Sequence, residues 1–241
     1  MSEEMIACIE ALGAGPLPPM TDGFRVLDLG LAVDRGLARV DAAALAGAPA
    51  DSADVLVGTG IVSAAADKEA LLADAFRVLA YGGELYVTDV FCDRRLSAAQ
   101  KADPALAGTL AGAAYYEDFR RLMRAAGWED FRTVASQPLP LDAAEAAVAG
   151  DAGFTVRTIR AVKAPDKIED ICEQYGQQAT YLGTIEGLPD YFDLDAGHRF
   201  VTGEPLAVCG NSCAMVQDTR FGAHFKVDGD RSVHYGPFAG C

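Results

Sequence analysis

At 241 residues, 51% of them hydrophobic, the chain is long enough to bury a substantial core. Its formal charge of −15, from 35 acidic against 20 basic residues, disfavours nucleic acid or an anionic membrane surface as partner. The start Ser2-Glu3-Glu4-Met5 is acidic where a secretory leader is basic, and Asp interrupts the alanine-rich stretches before they reach spanning length, so a soluble, cytoplasmic protein is expected.

Met5, Ile6, Ile9 and Leu12 recur at helical spacing, predicting a helix over 1–12 that Gly13-Ala14-Gly15-Pro16 ends. The apolar run Phe24-Arg25-Val26-Leu27-Asp28-Leu29-Gly30 reads as the first buried strand of a parallel sheet. Such a strand feeds a turn where the backbone meets a nucleotide or adenosyl cofactor. Here Leu31, Ala32, Val33, Asp34 and Arg35 intervene before Gly36, so side chains stand where bare backbone would approach a ligand. A brief strand over 37–40, a turn-rich connection over 42–52 and a buried strand over 54–57 are expected next. A helix opens at Asp67-Lys68-Glu69, with Leu71, Leu72, Ala75, Phe76 and Leu79 on its apolar face, and Gly82-Gly83 stops it before a strand over 84–90.

Tyr116-Glu117-Asp118-Phe119 begins a further helix that runs to Ala126 before Gly127. The β-branched segments 130–136 and 155–162 predict a closing antiparallel pair. Pro165 marks a boundary, followed by a helix over 166–175, a strand over 179–185 and a Gly- and Asp-rich remainder that reads as a small α+β module. Six cysteines, Cys8, Cys92, Cys172, Cys209, Cys213 and Cys241, read as reduced thiols rather than a disulfide framework. The spacing of Cys209 and Cys213 suits chelation of one soft ion on a helical face or tight loop, with Cys241 as a third sulfur; ordinary packing of buried thiols is the alternative. His198, His224 and His234 are read as structural hydrogen-bonders.

Val26-Leu27-Asp28-Leu29-Gly30, Asp67-Lys68-Glu69, Phe76-Arg77-Val78-Leu79 and Gly82-Gly83-Glu84-Leu85-Tyr86 together resemble the scaffold signature of class I S-adenosylmethionine methyltransferases. Asp89-Val90-Phe91, Asp93-Arg94-Arg95, Tyr116-Glu117-Asp118-Phe119, Cys172-Glu173-Gln174-Tyr175-Gly176-Gln177, Val208-Cys209-Gly210-Asn211, Thr219-Arg220-Phe221 and His234-Tyr235-Gly236 narrow the resemblance to arsenite methyltransferases. The fold it implies is α/β. A shortened Rossmann-like class I methyltransferase domain over 1–164 precedes an arsenite-methyltransferase-type α+β domain over 165–241.

Departures from the family pattern shape the functional expectation. Only about twenty residues separate Gly30 from the next recognisable strand, where a crossover unit alone needs about thirty, so the strand carrying the ribose-binding acid reads as deleted. Asp34 and Asp41, the nearest substitutes, read as surface carboxylates. Ala14, Gly60 and Thr109 stand at positions where the family has cysteine, leaving Cys172 among the arsenic-ligand positions that the resemblance marks. The expectation is therefore a degenerate member that has lost S-adenosylmethionine binding and methyltransferase activity, with no catalytic or cofactor-binding residues assigned. It would bind As(III), an organoarsenical or another thiophilic ligand through Cys172, Cys209, Cys213 and Cys241, or else a partner enzyme or a second copy of itself. The alternative is an active enzyme, methylating or otherwise transforming an arsenical in a remodelled cleft.

Overall fold

The computed structural model describes residues 18–30 and 36–240. The predicted helix over 1–12, together with Cys8, Ala14, Asp34 and Cys241, lies outside them.

The first strand, β1 (Val26–Asp28), lies parallel to β2 (Ala53–Thr59), which in turn lies parallel to the long β3 (Leu79–Cys92). The predicted strand over 37–40 contributes a single parallel bridge, Asp28 to Arg39. The expected turn region instead contains helix α1 (Ala42–Gly47), whose start is set by Asp41 accepting from the Ala44 N–H. A short α2 (Ile61–Ala64) follows β2, and α3 (Lys68–Val78) begins at Asp67, which caps it through the Ala70 N–H. Past β3 the chain adds a two-residue strand β4 (Ala114–Tyr115), helix α4 (Tyr116–Ala125), strand β5 (Phe131–Pro138), helix α5 (Ala143–Ala149) and strand β6 (Phe154–Val162). β6 runs antiparallel between β3 and β5, giving the order β1-β2-β3-β6-β5 with β4 beside β3.

Alternation along the strands gives the sheet two different faces. Leu85, Val87, Phe91, Ile159 and Ala161 face one core with the apolar sides of α3 and α4, including Leu72, Phe119 and Trp128. Glu84 and Arg160 point the other way, where the C-terminal part of the chain packs. That part contains β7 (Gln178–Tyr181) between β10 (Pro205–Ala207) and β11 (Phe225–Asp228), a hairpin of β8 (Tyr191–Asp195) and β9 (His198–Val201), and helix α6 (Gly210–Gln217). Its core draws Val162 and Ala164 in with Phe192, Phe200, Met215 and Phe221.

The predicted helix over 166–175 is not formed. Its backbone is recruited elsewhere: the Gln174 N–H donates to the Gly236 carbonyl, and the Glu173 carbonyl accepts from the Gly210 N–H. An acidic, capped segment with partners of higher sequence separation thus becomes a brace rather than a helix. Two arginines with buried side chains close the seam between sheet and C-terminal part. Arg160 Nε meets Glu84 Oε1 at 2.5 Å and its Nη1 reaches the Leu194 carbonyl, while Arg220 pairs with the other Glu84 oxygen. Burial alone would raise the Glu84 pKa, but the Arg160 and Arg220 charges outweigh it and hold the carboxyl below its usual range.

Candidate functional site

Arg132 is the centre of a buried polar cluster where β5, the β8–β9 hairpin and the start of α6 converge. It lies directly across from Arg160 in the antiparallel β5–β6 pair, hence on the face turned toward the C-terminal part. Its Nη2 donates to Asp130 at 2.8 Å, to Ser212 Oγ at 3.3 Å, to Cys209 Sγ at 3.7 Å and to Cys172 Sγ at 3.8 Å. Desolvation would lower the Arg132 pKa, yet Asp130, Cys209 and Asp195 around it raise it, so the guanidinium is a fixed cation.

Local geometry explains how each partner arrives. The β8–β9 turn Asp195-Ala196-Gly197-His198 folds the Asp195 carboxylate back onto the Gly197 N–H, at 2.7 Å, and the Ala196 N–H anchors the tip to the Thr133 carbonyl of β5. This brings His198 Nδ1 to 2.9 Å from both Asp195 oxygens, with His198 Nε2 at 3.5 Å from Ser212 Oγ. Burial pushes the Asp195 carboxyl up, but the His198 hydrogen bond and the nearby charges prevail and hold it below the usual range. Cys209 is the N-cap of α6, its sulfur accepting from the Ser212 N–H at 3.3 Å. Asn211 fixes the same turn by donating to Asp130 Oδ2 and the Glu169 carbonyl and accepting from the Glu169 N–H.

The structure separates the sulfurs singled out from sequence. Cys172, half-buried, and Cys209, fully buried, share the Arg132 guanidinium. Cys213 is turned away into the apolar core, donates to Gln217 Oε1 at 3.6 Å, and burial pushes its thiol up to about 11. Cys92, Cys209 and Cys213 are in no disulfide, whereas Cys172 is disulfide-bonded, at odds with the expectation of reduced thiols only. Among the described residues no group of three His, Cys, Asp or Glu side chains is arranged to hold a metal ion, and no helix is long and apolar enough to cross a membrane. His224 and His234 make hydrogen bonds to Thr184 and Glu173, as their surroundings predicted. Arg132, Asp195 and Ser212 carried no readable signal, since an arginine in an alternating strand and an Asp-x-Gly turn are ordinary surface features.

A cleft of about 440 Å³ opens beside Asp130, lined by Tyr116, Arg120, Arg124, Asp130 and Asp170. It shares Arg124 and Asp170 with an open groove of about 520 Å³ that reaches Glu173, next to Cys172. Both are within the range of small-molecule sites. The place where the family's adenosyl cofactor would sit, at the end of β1, is different. A hollow of about 160 Å³ there is lined mainly by Leu29, Val40, Ile61, Ala64 and Leu71. Asp41 on its rim is already engaged in capping α1. Residues 31–35, which follow β1 at this end of the sheet, lie outside the described ones.

Residues 174–236 match the model of the arsenite methyltransferase C-terminal domain. An arsenite methyltransferase from Aquipseudomonas alcaligenes is 45% identical over 79% of this chain and 55% of its own length; the mouse arsenite methyltransferase is 30% identical over 78% and 49%. The chain thus spans about half the length of the curated relatives it matches. The crystal structure of an arsenic (III) S-adenosylmethionine methyltransferase from Chlamydomonas reinhardtii superimposes with a TM-score of 0.86 at 31% identity, over 99% of this chain and 100% of that one. These likenesses correct the expectation of a degenerate member without methyltransferase activity, because the relatives carry the names of enzymes at identities that reach 45%. With a Rossmann-like α/β sheet and a matching partner across its whole length, the chain belongs to the arsenite methyltransferase family.

Proposed function

We propose that this chain is an enzyme acting on trivalent arsenicals, and that its reaction is the methylation for which its relatives are named. The observation that carries the reading is the pair of sulfurs, Cys172 and Cys209, on one buried guanidinium beside an open cleft. A soft three-coordinate ion prefers sulfur, and one guanidinium holds both sulfurs within hydrogen-bonding reach. Cys172 lies toward the surface and Cys209 behind it, so an arsenical entering along the groove would meet Cys172 first. Cys172 is disulfide-bonded and must be reduced before it can bind, which makes the reaction dependent on a thiol reductant. Cys213, packed in the core of the C-terminal part, has no part in this reading, and the methyl donor is S-adenosylmethionine, as in the Chlamydomonas relative's name.

The test is direct. Reduced protein is titrated with As(III) and with a trivalent phenylarsenical, following the loss of free thiols. Consumption of the Cys172 and Cys209 thiols together supports the reading; uptake that persists in a Cys209→Ser variant, or none in the reduced wild type, rejects it.

A further inference from the structure

The Arg132 cluster contains more than two sulfurs and a cation. Asp195, His198, Ser212 and Cys209 form an unbroken chain of hydrogen-bonding atoms: Asp195 to His198 Nδ1 at 2.9 Å, His198 Nε2 to Ser212 Oγ at 3.5 Å, and Ser212 Oγ to Cys209 Sγ at 3.3 Å. All four side chains are buried. Because both Asp195 oxygens face Nδ1, the proton is assigned to that nitrogen, and in the neutral ring Nε2 is the acceptor directed at Ser212. This is the order of a base, an orienting carboxylate and a hydroxyl, but Ser212 is fully buried and has a sulfur beside it. The adjacent Cys209 thiol needs somewhere to send its proton when its sulfur forms a bond.

We propose that Asp195, His198 and Ser212 form a proton relay that takes the proton from the Cys209 thiol as its sulfur bonds a soft electrophile, a trivalent arsenical in the family reaction. The inference rests on the thiol reading above and deepens it. The Cys209 proton passes to Ser212 Oγ while the Ser212 hydroxyl proton passes to His198 Nε2, and Asp195 stabilises the imidazolium so formed. The sulfur electron pair makes the new S–As bond, the As–O bond breaks, and the departing hydroxide leaves as water with the proton that the imidazole returns. Arg132 is the orienting cation: its Nη2 donates to both Ser212 and Cys209, and its Nη1 stands 3.8 Å from Asp195. The charged and titratable groups around His198 are thus Asp195 on β8, Arg132 and Asp130 on the β5 side, and Cys209 at the head of α6, with Cys172 across the guanidinium.

The experiment measures how fast Cys209 reacts, peptide by peptide, in the reduced 241-residue chain. Two probes are used in parallel, a trivalent phenylarsenical and the small monothiol reagent methyl methanethiosulfonate, across a pH series. In the wild type, the Cys209 rate should fall once the pH is low enough for the relay's base to be protonated and unable to accept a proton. His198→Gln should remove that inflection and slow Cys209 by about a hundredfold at neutral pH, the low end of what a positioned base contributes, while Cys213 reacts as before. Ser212→Ala, which removes one small hydroxyl, should do the same and decides the matter if His198→Gln fails to fold. If both probes react with the same pH profile in wild type and Ser212→Ala, the relay is overturned. If the phenylarsenical fails to bind while methyl methanethiosulfonate keeps the His198-dependent profile, the relay stands and the arsenical reading falls.

Discussion

Cys209 and Cys213 are four residues apart, a spacing that would put two helical side chains on one face, yet they occupy different surroundings. The reason is that Cys209 is not helical: as N-cap it has φ −72° and ψ 166°, which swings its sulfur back over the first turn toward Arg132, while Cys213 lies inside the helix and faces the core. A capping cysteine is not visible from spacing, since Ser, Thr, Asp and Asn are the residues that normally mark such a position. Cys213→Ala should therefore leave the reaction with a trivalent phenylarsenical unchanged, whereas Cys209→Ser should abolish its preference over monothiol reagents; quantitative thiol labelling reads both. Asp195 gives the cluster an acid limit. Its folded pKa is depressed, so the stability it contributes is fully present above its unfolded value, about 3.9, and is lost as pH falls through the lower folded value. Asp195→Asn should flatten the acid limb of the stability curve below about pH 4, measured by urea unfolding at stepped pH.

At the scale of elements, the long β3 does two jobs. It forms the centre of the sheet, and through Glu84 it holds the C-terminal part against it by way of Arg160 and Arg220. Removing one member of a buried charge set leaves its partners uncompensated, so Glu84→Gln should cost about 3–5 kcal/mol in urea unfolding. Just before this point Gly82 has φ +74°, and a Cβ there would stand 2.6 Å from the Asp218 carbonyl oxygen. Gly82→Ala combines an unfavourable backbone conformation with a backbone clash at the same seam, and should destabilise by at least about 1–3 kcal/mol. The sequence made the strands and helices around this seam readable, because periodicity reports which residues are apolar. It left the seam itself unread: an alternating strand with Glu84 or Arg160 on its polar face looks solvent-exposed until a second layer covers that face. The predicted helix over 166–175 failed for a related reason, its backbone bonds being taken up by the distant segments around Gly210 and Gly236.

At the scale of the molecule, the sheet and the C-terminal part share cores and ionic ties. Arg132 and Glu84 reach from one, Cys209, Asp195 and Arg220 from the other, so the thiol cluster exists only when both are folded together. A fragment spanning 165–241 should accordingly give poorly dispersed amide resonances and no protected Cys209. The family was readable from the order of short motifs, Gly82-Gly83, Tyr116-Glu117-Asp118-Phe119 and Cys209-Gly210-Asn211 among them, and the α/β fold with them. Among the described residues β1 has β2 as its strand neighbour and a bridge from Asp28 to Arg39. Inferring lost activity from the short spacing after Gly30 went too far, given how closely the chain follows named enzymes over the length it shares with them.

The most direct measurement is turnover: the 241-residue chain incubated with As(III), S-adenosylmethionine and a dithiol reductant, with arsenic species separated and quantified over time. Methylated arsenic exceeding one equivalent of protein, dependent on the reductant and absent in Cys209→Ser, is the predicted result. Folded wild-type protein that forms no methylated arsenic, under conditions where the Aquipseudomonas alcaligenes relative turns over, would contradict it.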